Sequence, residues 1–207
     1  MSDPQPQPGI TPEQREQLQR LLEEKRAERQ AARREPLPVW LPAAMKTLPY
    51  MLISVTVLNL FIGLLAVVTP YLGMWFGTGL TDPIYTVYGY ICPQRPSHTF
   101  FIGGHAMAFE QRDVSVHLGL GLAGVLYVFW VRIRQPLSTR MALLLIAPML
   151  IDVAISTVGI LPSTWFSRLW TGGLAGIAAI WWSYPRFDAY LRKVQEHVAR
   201  LQGLRAT

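Results

Sequence analysis

Leu48 to Trp75 reads LPYMLISVTVLNLFIGLLAVVTPYLGMW, a run without a charged residue and with one strongly polar interior side chain, Asn59. Crossing ~30 Å of hydrocarbon takes roughly 20 apolar residues at a helical rise of ~1.5 Å each. The run exceeds that length, so it tilts within a bilayer or extends past it. Tyr50 at one end, and Tyr71 with Trp75 at the other, sit where aromatic side chains anchor a span at the membrane surface.

Three further runs follow the same logic. Residues 114–131 form a second span rich in glycine (Gly119, Gly121, Gly124), which permits close helix contact. Residues 141–161 form a third, interrupted by Pro148 and carrying Asp152. Residues 169–184 form a short fourth, again with glycines (Gly172, Gly173, Gly176) and closed by Pro185. The expected fold is therefore an all-α integral membrane protein with four transmembrane helices.

Charge distribution supports this and sets an orientation. Half the chain is hydrophobic (51%), and the charged residues crowd at the two ends. A net charge of +6 in a soluble protein would suggest nucleic acid. In a membrane chain it follows from basic residues collecting on the cytoplasmic side. Sixteen Lys and Arg fall in the N-terminal arm, the 132–140 segment and the tail, against three (Arg95, Arg112, Arg168) on the opposite side. Both termini are expected in the cytoplasm, in the inner membrane of a bacterium, with an ordered external loop between spans one and two. The N-terminus stays polar for more than forty residues, so no cleavable signal is expected.

The ends read as helical and polar. Residues 1–10 have a disordered composition. Residues 11–35 form a charged helix, with Thr11 as N-cap, Pro12 at its first position and Glu16/Arg20 at helical spacing. Its thin apolar face (Leu18, Leu21, Leu22) fits a solvated helix or one lying on headgroups or a partner protein. Pro36, Pro38 and Pro42 make 36–47 a stiff linker, and 185–207 a basic amphipathic tail on the membrane surface.

The polar residues concentrate in Cys92–Asp113, CPQRPSHTFFIGGHAMAFEQRD. The candidate polar site comprises Cys92, Gln94, Arg112, Asp113, Asp152 and Arg168. A carboxylate at mid-membrane depth costs roughly 2.5–3.5 kcal/mol on insertion scales and normally faces a partner or a water-filled cavity. Arg112 and Arg168 are the available partners of Asp152. Counted to residue 161, the separation along the span is ~13 Å, which an arginine bridges in part by extending its stem. The pair is then either a structural ion pair or a site for an anionic headgroup, a quinone or a proton path. A single cysteine excludes an internal disulfide. His98, His105, Glu110, Asp113 and His117 offer one close ligand pair, Asp113/His117 at i,i+4, too little to predict a metal. No Gly-x-Ser-x-Gly elbow, phosphate-binding glycine loop or His-Glu-x-x-His is present. Trp165, Trp170, Trp181 and Trp182 read as interface anchors that could also border a pigment or lipid.

Cys92-Pro-Gln-Arg, Thr99-Phe-Phe and Gln111-Arg112-Asp113, followed by Pro148, Asp152, Arg168, Thr171 and Gly172, resemble a family of predicted membrane proteins, domain of unknown function 2085. The resemblance covers Ile91 to Ile177. Against its pattern, Pro93 stands for His, His98 for Arg and Glu110 for a second Cys. If the family uses a Cys/His pair in redox or metal chemistry, this chain lacks half of it. The expected function is a non-catalytic accessory or assembly subunit of a larger membrane complex, energy-transducing in one version, in contact with lipids and other subunits. The alternative is a membrane enzyme or carrier acting on a lipid or quinone at the outer leaflet. No cofactor is expected beyond a bound lipid, quinone or pigment, and no nucleic acid.

Overall fold

The structure, a computed structural model, describes residues 12–34, 41–129 and 135–206, with the backbone alone for some helical residues near the ends. The expected disordered tail 1–10, the Thr11 cap, linker residues 36–40 and the loop residues Arg132 and Arg134 lie outside it. The helices are α1 (Pro12–Arg34), α2 (Leu41–Phe76), α3 (Thr78–Gly89), α4 (Gln111–Phe129), α5 (Thr139–Thr157) and α6 (Trp165–Ala206). Two short strands, β1 (Phe101–Ile102) and β2 (His105–Ala106), pair antiparallel. Two compact units result: Lys46–Leu191, and the two terminal segments. In the terminal unit, the described side chains of α1 are exposed, with Arg20 and Glu16 paired at 2.7 Å.

Three helical segments are long and apolar enough to cross a membrane: Tyr50–Phe76, Gln111–Phe129 and Thr139–Thr157. The fourth expected span lies inside α6. Its glycines, alanines and tryptophans carry less hydropathy than the Leu/Val/Ile runs of the others.

Two proline expectations are corrected. Pro42 begins no linker: it occupies the first turn of α2, where the missing N–H would have no partner anyway. Pro185 does not end its helix, because α6 runs through it. Without an N–H at Pro185, the Trp181 carbonyl loses its helical donor. The Leu137 amide takes that place at 3.3 Å. Pro70, inside α2, does the same for Ala66, whose carbonyl accepts from Ala108 N at 3.3 Å. Each helix thus survives its proline by handing one acceptor to a neighbouring loop.

α4 sits between α2 and α6, and its glycines face both. A Cβ on Gly124 would come 2.4 Å from the Thr56 hydroxyl, and one on Gly119 2.5 Å from the Gly173 carbonyl. Gly176 meets Val116 O at 2.5 Å on the same terms. Backbones approach here as closely as they can, and small residues alone allow it. α5 differs: among its residues only Ala142 is buried.

The segment between α2 and α4 is a folded cap, which the sequence reading leaves as loop. α3 is missed because Gly77, Gly79 and Pro83 read as breakers. Its Tyr85 and Tyr88 share a face: Tyr85 donates to Ala106 O, and Tyr88 to Ile62 O at 2.6 Å. Gly103 and Gly104 both take positive φ (57° and 82°), as a two-residue hairpin turn requires. Met107, Ala108 and Phe109 pack with Ala66, Tyr88, Cys92 and Val114 into one buried cluster. Much of the molecule's tightest burial therefore lies in the cap.

Gly176→Ala is expected to lower the thermal midpoint in detergent, because its methyl meets backbone that cannot yield; overpacking costs typically ~1–3 kcal/mol. Gly79→Ala, with open space around it, leaves the midpoint unchanged or higher. Equal midpoints for the two variants would refute the close-packed α4/α6 seam.

Candidate functional site

Glu110 is the centre of the cap's polar cluster. Arg95 holds it three times: its backbone N and Nε reach Oε1 at 3.0 Å each, and Nη2 reaches Oε2 at 3.2 Å. His98 Nδ1 lies 3.4 Å from Oε2. Burial alone pushes the Glu110 carboxyl up, but the Arg95 hydrogen bonds and charge outweigh it, and the pKa falls below its usual 4.5. His98 is lowered from 6.5, first by burial and then by the Arg168 and Arg95 charges, with Glu110 opposing. His98 is therefore a neutral partner near pH 7.

Cys92 is 2% exposed beneath this cluster. Burial, reinforced by Asp113, pushes its thiol up to about 11, against the lowering effect of the Gln94 and Glu110 backbone amides. Such a thiol stays protonated and is a poor nucleophile. Gln94 adopts a left-handed backbone (φ 51°) and clamps the cap from inside, donating to Tyr85 O at 3.0 Å and Ala108 O at 2.9 Å.

The six sequence candidates do not form one site. Cys92, Gln94 and Asp113 lie in the cap. Arg112 pairs with Asp152 across α4 and α5. Arg168 pairs with no carboxylate among the described residues; it is 8% exposed and wholly engaged with neutral acceptors. Nε donates to Ser163 Oγ at 2.6 Å, Nη2 to Ser163 O at 2.8 Å, and Nη1 to Gln111 Oε1 at 3.1 Å and Ser97 O at 3.3 Å. The distance problem for Asp152 disappears for a structural reason. α5 ends at Thr157, and α4 begins at Gln111, so Arg112 lies in the first turn of a helix beside it.

Sequence reasoning misses Arg95, Glu110 and Gln111 as working parts. Gln111 stands beside Arg112 in the quoted motif, a signal that was available. The Asp113/His117 ligand pair also changes. His117 Nδ1 meets Asn59 Oδ1 at 2.9 Å, and its ring stacks on Phe109 at 5.2 Å. Among the described residues, the group with ligand-like closeness is Cys92, Glu110 and Asp113, with donor atoms within 4.8 Å of one another. A cation there would have to displace Arg95 from both oxygens of Glu110, so the donor set fits a metal poorly.

Beside Asp152 a cleft of about 470 Å³ opens between α5 and α6. Pro148, Ile151, Ile155 and Trp170 line it, with Ser163, Thr164, Ser167 and Thr171 at one end. Those hydroxyls are engaged internally, for example Thr171 to Ser167 O at 2.6 Å. Arg112 Nε is buried without an acceptor among the described residues.

These features define a helical membrane protein with a folded cap and a polar seam beneath it. The family profile described as a predicted membrane protein, domain of unknown function 2085, matches residues 92–182, which take in the cap after α3, α4, α5 and the first part of α6. An uncharacterized protein of Methanocaldococcus jannaschii is 30% identical over 112 residues, covering 53% of this chain and 72% of that protein. The chain belongs to this family. No solved structure matches it.

The two shifts in the cap have the same sign. Folded Glu110 and folded His98 each bind a proton less readily than in the unfolded chain. Their stabilisation is fully present above the ordinary His value of 6.5 and is lost as pH falls through the two lowered values. The thermal midpoint in detergent should therefore fall below pH ~6.5 and drop most steeply below ~4.5. Glu110→Gln should start less stable at pH 7 and show a flatter acid limb. An unchanged acid limb in that variant would exclude Glu110 as the titrating group.

Proposed function

We propose that the protein is a four-span, non-catalytic accessory or assembly subunit of a larger complex in the cytoplasmic membrane. The observation that carries this reading is the engagement of its reactive groups with one another. Glu110 is held by Arg95, Arg168 by four hydrogen bonds and Asp152 by Arg112, while Cys92 is a buried thiol with a pKa of about 11. Meanwhile α5 offers Leu143, Leu144, Leu150 and Ile151 as uncovered apolar surface for lipid or partner helices.

A fourth crossing by α6 is supported from both ends. Arg168 bonds to the cap through Ser97 O, and Trp181 bonds to Leu137 at the opposite end of α5. The thirteen helical steps between them rise ~20 Å, most of a hydrocarbon core. Four crossings leave both termini on one side, and the sixteen-to-three bias in Lys and Arg favours the cytoplasm. The test is the native mass and composition of the tagged protein after gentle extraction from its own membrane. A stoichiometric assembly with other membrane proteins is expected; recovery solely as a free monomer contradicts the proposal.

The cleft beside Asp152 favours a second reading, an enzyme or carrier acting on a lipid or quinone at the outer leaflet. An apolar groove flanked by an ion pair with a spare buried donor at Arg112 Nε suits a ligand bearing an acceptor. On this reading, Asp152→Asn and Arg112→Ala abolish a cellular phenotype while the protein still folds and inserts. Wild-type behaviour of both variants eliminates it.

A further inference from the structure

A second groove lies at the other end of the α5/α6 seam. It encloses about 340 Å³ between Thr139, Ala142, Leu143 and Ile146 of α5 and Ala179 and Trp182 of α6. Its wall is apolar, and its rim is cationic. Arg186 lies over the Trp182 ring, 4.7 Å from its centre, with Nη1 on Trp182 O at 2.5 Å and Nη2 on Leu137 O at 2.8 Å. Trp182 Nε1 in turn donates to Thr139 Oγ1 at 3.2 Å. Arg140, one residue beyond Thr139, is exposed. No carboxylate pairs with either arginine among the described residues. Asp188 accepts from the Tyr127 hydroxyl at 3.2 Å, on the α4 side of the helix.

We infer that this groove is a binding site for one anionic glycerophospholipid. The upper part of one acyl chain lies in the groove against Ala142, Leu143, Ile146 and Ala179. The headgroup phosphate sits at the rim, between Arg140 and Arg186. The charge pattern selects the occupant. An uncharged chain would leave two cations at the membrane surface without a counter-ion, whereas a phosphate meets both. Basic pockets between membrane helices recognise acidic headgroups in this way, each Arg or Lys adding attraction within a Debye length of the surface. Trp182 is placed as an interfacial tryptophan, which fixes the depth at which the headgroup meets the groove. Arg186 is held by two backbone carbonyls, so little side-chain freedom is lost when it binds. The inference stands whether or not the chain belongs to a larger complex.

The test uses the full-length protein in detergent, equilibrated with equal phosphatidylglycerol and phosphatidylethanolamine and examined by native mass spectrometry. Wild type is expected to retain one phosphatidylglycerol with at least about fivefold preference. Arg140→Gln with Arg186→Gln should cut that retention about tenfold, and Arg186→Lys should keep most of it. Ala179→Phe, which fills the groove and leaves the cations, should also lose the bound lipid; this separates a lipid from a headgroup-like anion held by charge alone. Arg186 also tethers Leu137, so Arg140→Gln alone provides a variant that disturbs no described contact, with a smaller loss expected. Equal retention of the two lipids by wild type, or retention unaffected by both the charge and the filling variants, would leave annular lipid only and overturn the proposal.

Discussion

A guanidinium in an apolar setting must have its donors met, and Arg168 meets this requirement by gathering three parts of the chain. Its hydrogen bonds reach the 161–164 turn through Ser163, the cap through Ser97 and the first turn of α4 through Gln111. Because Arg168 is buried, each lost partner would leave a desolvated group behind. The start of α6 is thereby fixed to the cap, and Arg112, next to Gln111, is brought to Asp152. The seam that looks like a candidate site is first of all a consequence of satisfying one buried cation.

Three spans were legible because hydropathy acts over long windows and does not depend on neighbours. The glycine contacts were legible for a related reason: Gly119, Gly124 and Gly176 sit in apolar runs that have no turn to make. The cap was not legible. Its order comes from side chains and loop amides bonding to helix carbonyls far away in sequence, such as Tyr88 to Ile62 O and Ala108 N to Ala66 O. A proline four residues on marks the Ala66 carbonyl as freed, but nothing local names Ala108 as its donor. Asp152 shows a smaller version of the same limit. Its partner depended on where α4 begins and α5 ends, and a shift of three or four residues at each boundary decided the question.

Glu110 shows what a departure from a family pattern can do. Where the resemblance implies a second cysteine, this chain places a carboxylate within 4.8 Å of Cys92 Sγ. The carboxylate draws Arg95 and His98 around itself, while burial and Asp113 raise the cost of ionising the thiol. At this place the chain has an ion-paired anchor for the cap. The contrast with α5 is instructive: within Lys46–Leu191 the polar cap buries Thr99, Glu110 and Gln111, while apolar α5 buries only Ala142.

Pro70 and Pro185 also give the chain a sense of time. During synthesis, α2 enters the membrane with the Ala66 carbonyl already deprived of its helical donor, and its replacement, Ala108, has yet to be made. An orphaned carbonyl in hydrocarbon costs several kcal/mol. The first span therefore waits in an unfinished state until the cap folds back on it. Trp181 is the reverse case, since the Leu137 amide that serves it is made earlier and is waiting when α6 arrives. The two prolines set opposite orders of arrival for donor and acceptor, so the cap must close before the first span is complete, while the last helix finds its partner in place.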